Sequence, residues 1–191
     1  MIVYLWWLIA GLFLGGIIHL GTVLLLPTTA TRDAYAQISS ITETNRVTLL
    51  PQPPTDGGLL PFMDPAFAIA VCRYDLTSSP LKLQLAITPA YTSVSFYTRR
   101  GHAFYAVNDR AAGRRTIELD LMTAQQRSLI QEDEEVTAAD RLIVESPTET
   151  GLILVRALAP EPGAMPTVRG ILSTAQCRPQ PQENIVSPAV R

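Results

Sequence analysis

Residues 3–26 carry no formal charge, and the first charged side chain anywhere in the chain is Arg32. At a rise of about 1.5 Å per residue, a helix of this length crosses the roughly 30 Å hydrocarbon core of a bilayer. A soluble helix as long would need a polar face. Here the polar-capable side chains are Tyr4, Trp6, Trp7, His19 and Thr22. The three aromatic ones crowd the N-terminal end, where amphipathic rings favour the membrane–water boundary. The run predicts a single transmembrane anchor over residues 1–26. The competing reading is a cleaved export signal, since Ala34-Tyr35-Ala36 fits a small-x-small cleavage pattern. That reading lacks a basic stretch ahead of the apolar run, and its cleavage point lies beyond Pro27 and the Arg32-Asp33 pair.

Around a helix at about 100° per residue, Gly11, Gly15, His19 and Thr22 share one narrow arc. Small residues four apart let two helices approach closely, and buried polar groups bond across such an interface. This face is therefore a candidate helix-contact surface. With no second ligand in reach, His19 is not read as a metal or proton site.

Removing the first 26 of 191 residues leaves a length suited to one domain. The net charge is −2 with the two signs interspersed, so no electrostatic footprint for nucleic acid is present. Cys72 and Cys177 are the two cysteines, an even count that permits a disulfide in an exported domain, two buried thiols being the alternative. Neither has a neighbour at metal-ligand spacing, so no metal site is expected.

Within residues 27–60, Ala34, Ile38 and Ile41 recur at near-helical spacing over residues 31–44, predicting a short amphipathic juxtamembrane helix. Residues 50–58 hold too much proline and glycine for regular structure and read as a connector. Residues 61–177 form the predicted β-rich domain. Residues 66–74 are apolar on both faces and read as a central strand; residues 81–87 alternate Leu81, Leu83, Leu85 and Ile87 against Lys82, Gln84 and Ala86. Residues 91–98, 103–107 and 115–121 continue the pattern, giving five strands in meander order. Thr123 is placed to cap a short helix reaching Gln131, before the acidic run Glu132-Asp133-Glu134-Glu135. Two further strands cover residues 141–145 and 151–158, and a last helix covers 166–175 with Pro166 in its first turn. Residues 178–191, rich in Pro and Gln, read as a disordered tail. The expected fold is mainly β (α+β): an anchor helix, then one antiparallel sheet, sandwich or barrel-like domain with two or three short helices.

The phrases Asp64-Pro65-Ala66-Phe67, Ser79-Pro80-Leu81-Lys82-Leu83, Tyr91-Thr92-Ser93-Val94-Ser95-Phe96-Tyr97 and the run from Ser146-Pro147-Thr148 through Arg156 resemble the bacterial family of domain of unknown function 1254. The resemblance covers roughly residues 60–160. It implies a β-rich domain, often exported and often beside a partner domain of unknown function 1214, with no established activity. Longer members open the first strand with an Asn-Asn-Asp-Thr-type phrase; Met63-Asp64-Pro65-Ala66 stands here, and only Asp64 matches.

Candidate chemistry is sparse. The chain has no Gly-x-Ser-x-Gly, phosphate loop or His-Glu-x-x-His pattern. His102 lies in a basic turn with Arg99 and Arg100, and acid–base work would require Asp64, Asp75 or Asp109 beside it. Arg99, Arg100, Arg110, Arg114 and Arg115 fall on two successive turns, and turns on one edge would form a rim for a carboxylate or phosphate. Tyr91, Phe96, Tyr97, Phe104 and Tyr105 read as core and sheet face. The leading expectation is a non-enzymatic, single-pass protein of the bacterial inner membrane, its bulk periplasmic, without cofactor, binding a protein partner that carries the companion domain. The alternative is an envelope enzyme or small-ligand receptor with a pocket on the β domain.

Overall fold

The computed structural model describes residues 1–29, 33–53, 63–112, 115–129 and 142–180. It divides into two units, residues 1–33 and 34–191. The first is helix α1, Ile2–Thr29, whose stretch Ile2–Leu26 is long and apolar enough to cross a membrane. A Cβ added at Gly11 or Gly15 would meet nothing, and Thr22 Oγ1 donates back to the His19 carbonyl at 2.8 Å.

The second unit begins with the short helix α2 (Ala34–Ser39) and strand β1 (Val47–Leu49). There follow β2 (Phe67–Asp75), β3 (Leu81–Ala86), β4 (Thr92–Thr98), β5 (Ala103–Asn108), the single turn α3 (Asp109–Ala112), β6 (Thr116–Thr123) and α4 (Ala124–Ser128). Strands β7 (Leu142–Ser146) and β8 (Thr150–Leu158), a 3-10 turn at Pro162–Ala164, helix α5 (Met165–Ser173) and strand β9 (Gln176–Pro179) complete it. One sheet has the order β1-β2-β8-β4-β5 and is antiparallel; the other runs β7-β6-β3-β9, with β6 and β7 parallel. Both contribute to one core, so the domain is a two-sheet sandwich, and among the described residues no barrel closes.

The expected meander is therefore wrong in its pairing. Strands β2 and β3, neighbours in sequence, lie in different sheets; β2 pairs with the distant β8, and β3 with β6 and β9. Of the five strands expected to form the meander, β4 and β5 alone among the described residues pair as a hairpin, closed at Gly101 (φ 80°) by the Thr98 N–H to His102 C=O bond of 2.9 Å. Alternation reports which face of a strand is buried, and that is the same in a meander and in a sandwich whose connections cross between sheets.

Why β2 is apolar on both faces is plain from the packing. Its Ala68, Ala70, Cys72 and Tyr74 face the main core. Val71, on the opposite face, packs with Ile38 of α2, Leu50 and Leu152 in a second cluster outside the sheet. Strand β3 presents Leu81, Leu83 and Leu85, each at most 2% exposed, to the main core; burying each contributes about 1.5–3 kcal/mol.

The short elements correct the sequence reading further. Strand β1 has three residues, too few to show a period, and it lies in the stretch between the expected helix and connector. Arg178 and Pro179, assigned to the tail, belong to β9; residues 181–191 lie outside the described residues. Helix α4 is shorter than expected but carries a full capping box between Thr123 and Gln126. The acidic run lies outside the described residues. Helix α5 starts one residue before Pro166 and buries Val168 and Leu172, an i,i+4 pair.

Cys72 and Cys177 are joined, with Cα atoms 6.5 Å apart. The bridge ties β2 of one sheet to β9 of the other, and both residues are at most 3% exposed.

Candidate groove between two sheet edges

Strand β1 ends the first sheet and β9 ends the second, and the two edges flank an open groove of about 640 Å³. Sequence reasoning missed it, because both rims are the short strands that show no period.

The β1 rim is set by Asn45, which adopts a left-handed backbone (φ 58°), a conformation asparagine tolerates better than most residues. Its N–H donates to Arg73 C=O (2.8 Å), its Nδ2 to Asp75 C=O (3.1 Å), and its Oδ1 accepts from Asp75 N–H (2.8 Å). The segment leading into β1 is thereby bolted to the end of β2. On this rim Arg46 pairs with Glu43, and that hydrogen bond raises the guanidinium pKa.

On the other rim, the core-facing bridge of Cys177 sends the flanking side chains Gln176 and Arg178 outward. Strand pairing places Arg178 opposite Lys82, and Lys82 is in turn bound to Glu118 of β6 at 3.5 Å. Gln180 N–H donates to Pro80 C=O (2.7 Å), which fixes the alternation of the ladder. Arg178 and Gln176 turn their main-chain groups toward β3, while Cys177 and Pro179 turn theirs to the open side. Proline has no N–H to offer there, the position at which a strand tolerates it.

The expected basic rim is not assembled. Arg99, Arg100 and His102 sit at the β4–β5 hairpin; Arg110 and Arg115 sit at the far end of β5. Six strand residues at about 3.3 Å each put roughly 20 Å between the two groups. Arg114 lies outside the described residues. The Arg99 guanidinium stacks over the Tyr35 ring of α2, 4.2 Å from its centroid.

Of the candidate partners of His102, one lies at a distance along β5 and two are engaged in local turns. Asp109 is at the opposite end of β5. Asp75 Oδ1 accepts from Thr77 Oγ1 (2.7 Å) and Thr77 N–H (3.0 Å), and these bonds hold its carboxyl below the usual aspartate range. Asp64 Oδ1 accepts from Ala66 N–H at 2.9 Å. Of the aromatics, Phe96 is fully buried with Phe104 and Tyr105 packed on it, and Tyr91 meets Phe67 edge-on.

A buried hydroxyl cluster lies beneath the phrase Ser146-Pro147-Thr148-Glu149-Thr150-Gly151. Ser146 Oγ donates to Thr148 C=O (2.6 Å) and Thr148 Oγ1 to Thr150 C=O (2.9 Å). With those protons committed, Tyr74 Oη donates to Tyr97 C=O (3.2 Å) or Ser146 Oγ (3.1 Å). Burial pushes the Tyr74 phenol pKa up. Gly151 makes room for this ring, since an added Cβ would overlap the Tyr97 carbonyl oxygen and the Tyr74 hydroxyl. The cluster links β2 and β4 to the end of β7 and is structural.

Fold and groove together define a class: a two-sheet α+β sandwich following a helix of membrane-spanning length, with an open cleft between two sheet edges. The family profile described as "Protein of unknown function (DUF1254)" matches residues 44–179, and the chain belongs to that family. The match begins just before β1 and ends with β9, so both edge strands of the groove are part of the family domain, with Ile41 and Glu43 just ahead of it. Among solved structures, a Vibrio parahaemolyticus protein superposes with a TM-score of 0.57 at 10% identity, over 82% of this chain and 36% of its own. An uncharacterised protein from Burkholderia cenocepacia gives 0.48 at 13% identity, over 74% of this chain and 36% of its own. The chain thus spans little more than a third of either solved protein. No curated protein matches it.

Proposed function

We propose that this chain is a single-pass protein of the bacterial inner membrane whose β domain faces the periplasm and binds another protein without catalysing a reaction. The buried Cys72–Cys177 bridge carries this reading. Disulfides persist in exported compartments and are rare in the cytosol, so the bridge supports an extracytoplasmic domain behind an anchoring α1. The partner is a protein carrying the companion domain of unknown function 1214, and the Gly11, Gly15, His19 and Thr22 face gives α1 a second surface for contact within the membrane. Employment of Asp64 and Asp75 in turn hydrogen bonds supports binding over acid–base chemistry.

Topology is tested by fusing to Arg191 a fluorescent protein that matures only in the cytosol and, separately, a phosphatase active only in the periplasm. Dark cells with phosphatase activity are expected; fluorescent cells would overturn the placement. Extraction in mild detergent after cross-linking should yield a second polypeptide, and a chain recovered alone and monomeric would overturn the binding role.

A further inference from the structure

We propose that the groove between β1 and β9 is a site for a small organic carboxylate, anchored by Arg178. Arg178 is exposed and has no ion-pair partner among the described residues. Its cross-strand neighbour on β3 is another cation, Lys82, which stands opposite Asp120 of β6 and pairs with Glu118 of the same strand. Both carboxylates lie on β6, on the far side of β3 from Arg178, so the Arg178 guanidinium has no carboxylate opposite it on its own strand pair. A bound anion supplies that counter-charge.

The donors suit a carboxylate. The guanidinium offers a planar fork that matches both oxygens. The Cys177 N–H is presented on the same open edge, and Gln176 and Thr48 are among the residues that line the cleft. Arg46 faces Arg178 across the groove but is engaged by Glu43, so it is a reserve cation. The cleft is mainly polar, and Ile41, Val47 and Pro179 add an apolar stretch of wall for the short hydrocarbon body of an organic acid. The volume falls in the range of about 300–1,000 Å³ usual for small-molecule sites.

The obvious competitor, an added β-strand, finds poor rims. Strand β1 has three residues, and on β9 the outward position at Pro179 lacks a donor. Short edges and proline are the means by which strands resist edge pairing.

This site goes beyond the tethering and partner reading and can fail or hold independently of it, because its test concerns neither topology nor co-purification. The full chain in mild detergent is titrated calorimetrically with hexanoate, succinate and inorganic phosphate at fixed ionic strength. Saturable binding of a carboxylate is expected, weakened tenfold or more by Arg178→Gln and unchanged by Arg100→Gln at the distant hairpin. Glu43→Gln, which releases Arg46 into the groove, should tighten binding several-fold, the opposite of what a damaged fold would do. The proposal is overturned by no saturable binding of either acid, by binding of phosphate alone, by equal affinity in Arg178→Gln, or by weaker binding in Glu43→Gln.

Discussion

Reduction of the Cys72–Cys177 bridge should be the most damaging single chemical change to the β domain, and its size follows from the topology. The bridge closes a loop with a sequence separation of 105. In the chain-entropy treatment, a closed loop of about 100 residues restricts the unfolded ensemble enough to stabilise the native state by about 4.7 kcal/mol at 25 °C. For a domain of this size, each kcal/mol moves the thermal midpoint by about 2–4 °C, so full loss corresponds to roughly 10–20 °C. Both sulfurs are buried between the sheets, and replacing them with alanine would add a cavity cost to the loop term. Reduced wild-type protein keeps the sulfur atoms and isolates the link. The assay is thermal denaturation of the full chain in detergent, followed by near-ultraviolet circular dichroism, with and without reductant, free thiols being counted after each scan. A midpoint lowered by less than about 3 °C, with two thiols titrated, would show that β9 does not depend on the bridge, and the reasoning would fail.

The hydroxyl cluster supplies two more tests. Gly151→Ala forces a Cβ onto the Tyr97 carbonyl and the Tyr74 hydroxyl, and should destabilise by about 1–3 kcal/mol in a denaturant titration. Adding Tyr74→Phe should relieve only part of this, because the backbone oxygen remains. Tyr74→Phe alone should cost about 1–2 kcal/mol. It should also flatten the alkaline limb of stability. The folded phenol titrates above its ordinary value of 10.0, so above that pH the unfolded state loses the proton first. The contribution is whole below pH about 10 and declines as pH rises. Asp75 has the opposite sign: its folded pKa lies below its ordinary value of 3.8, so its contribution is present above that value and fades as pH falls through the folded pKa. Asp75→Asn should therefore shallow the acid limb of the same curve. Thr123→Ala removes one half of the α4 capping box and should lower stability by about 1 kcal/mol in urea.

Much of the domain was legible where local physics decides. The two-sided apolarity of β2, the clean alternation of β3, the turn at Gly101, the Thr123 cap and the membrane-length α1 each follow from period, charge or backbone preference within a dozen residues. What was not legible depends on residues far apart in sequence. Whether β2 takes β3 or β8 as a neighbour is settled by how both nine-residue strands fill the centre of a sheet, and no window around either one contains that fact. The arginines of the two turns looked adjacent because the turns are consecutive; an antiparallel β5 carries them to opposite ends. The groove was hidden for a related reason. Its rims are strands of three and four residues, and its backbone donors come from a ladder register rather than from any side-chain motif.

The order of strands also sets a timetable for a nascent chain. Strand β2 must wait, greasy on both sides, until Thr150–Leu158 has been made, and the staple cannot close before Cys177 follows. During that interval the half-made domain offers a bare hydrophobic ribbon to any neighbour. Long-range pairing of this kind makes for slow folding and a window for aggregation. A holding chaperone and an oxidase arriving late would serve this chain better than rapid early oxidation.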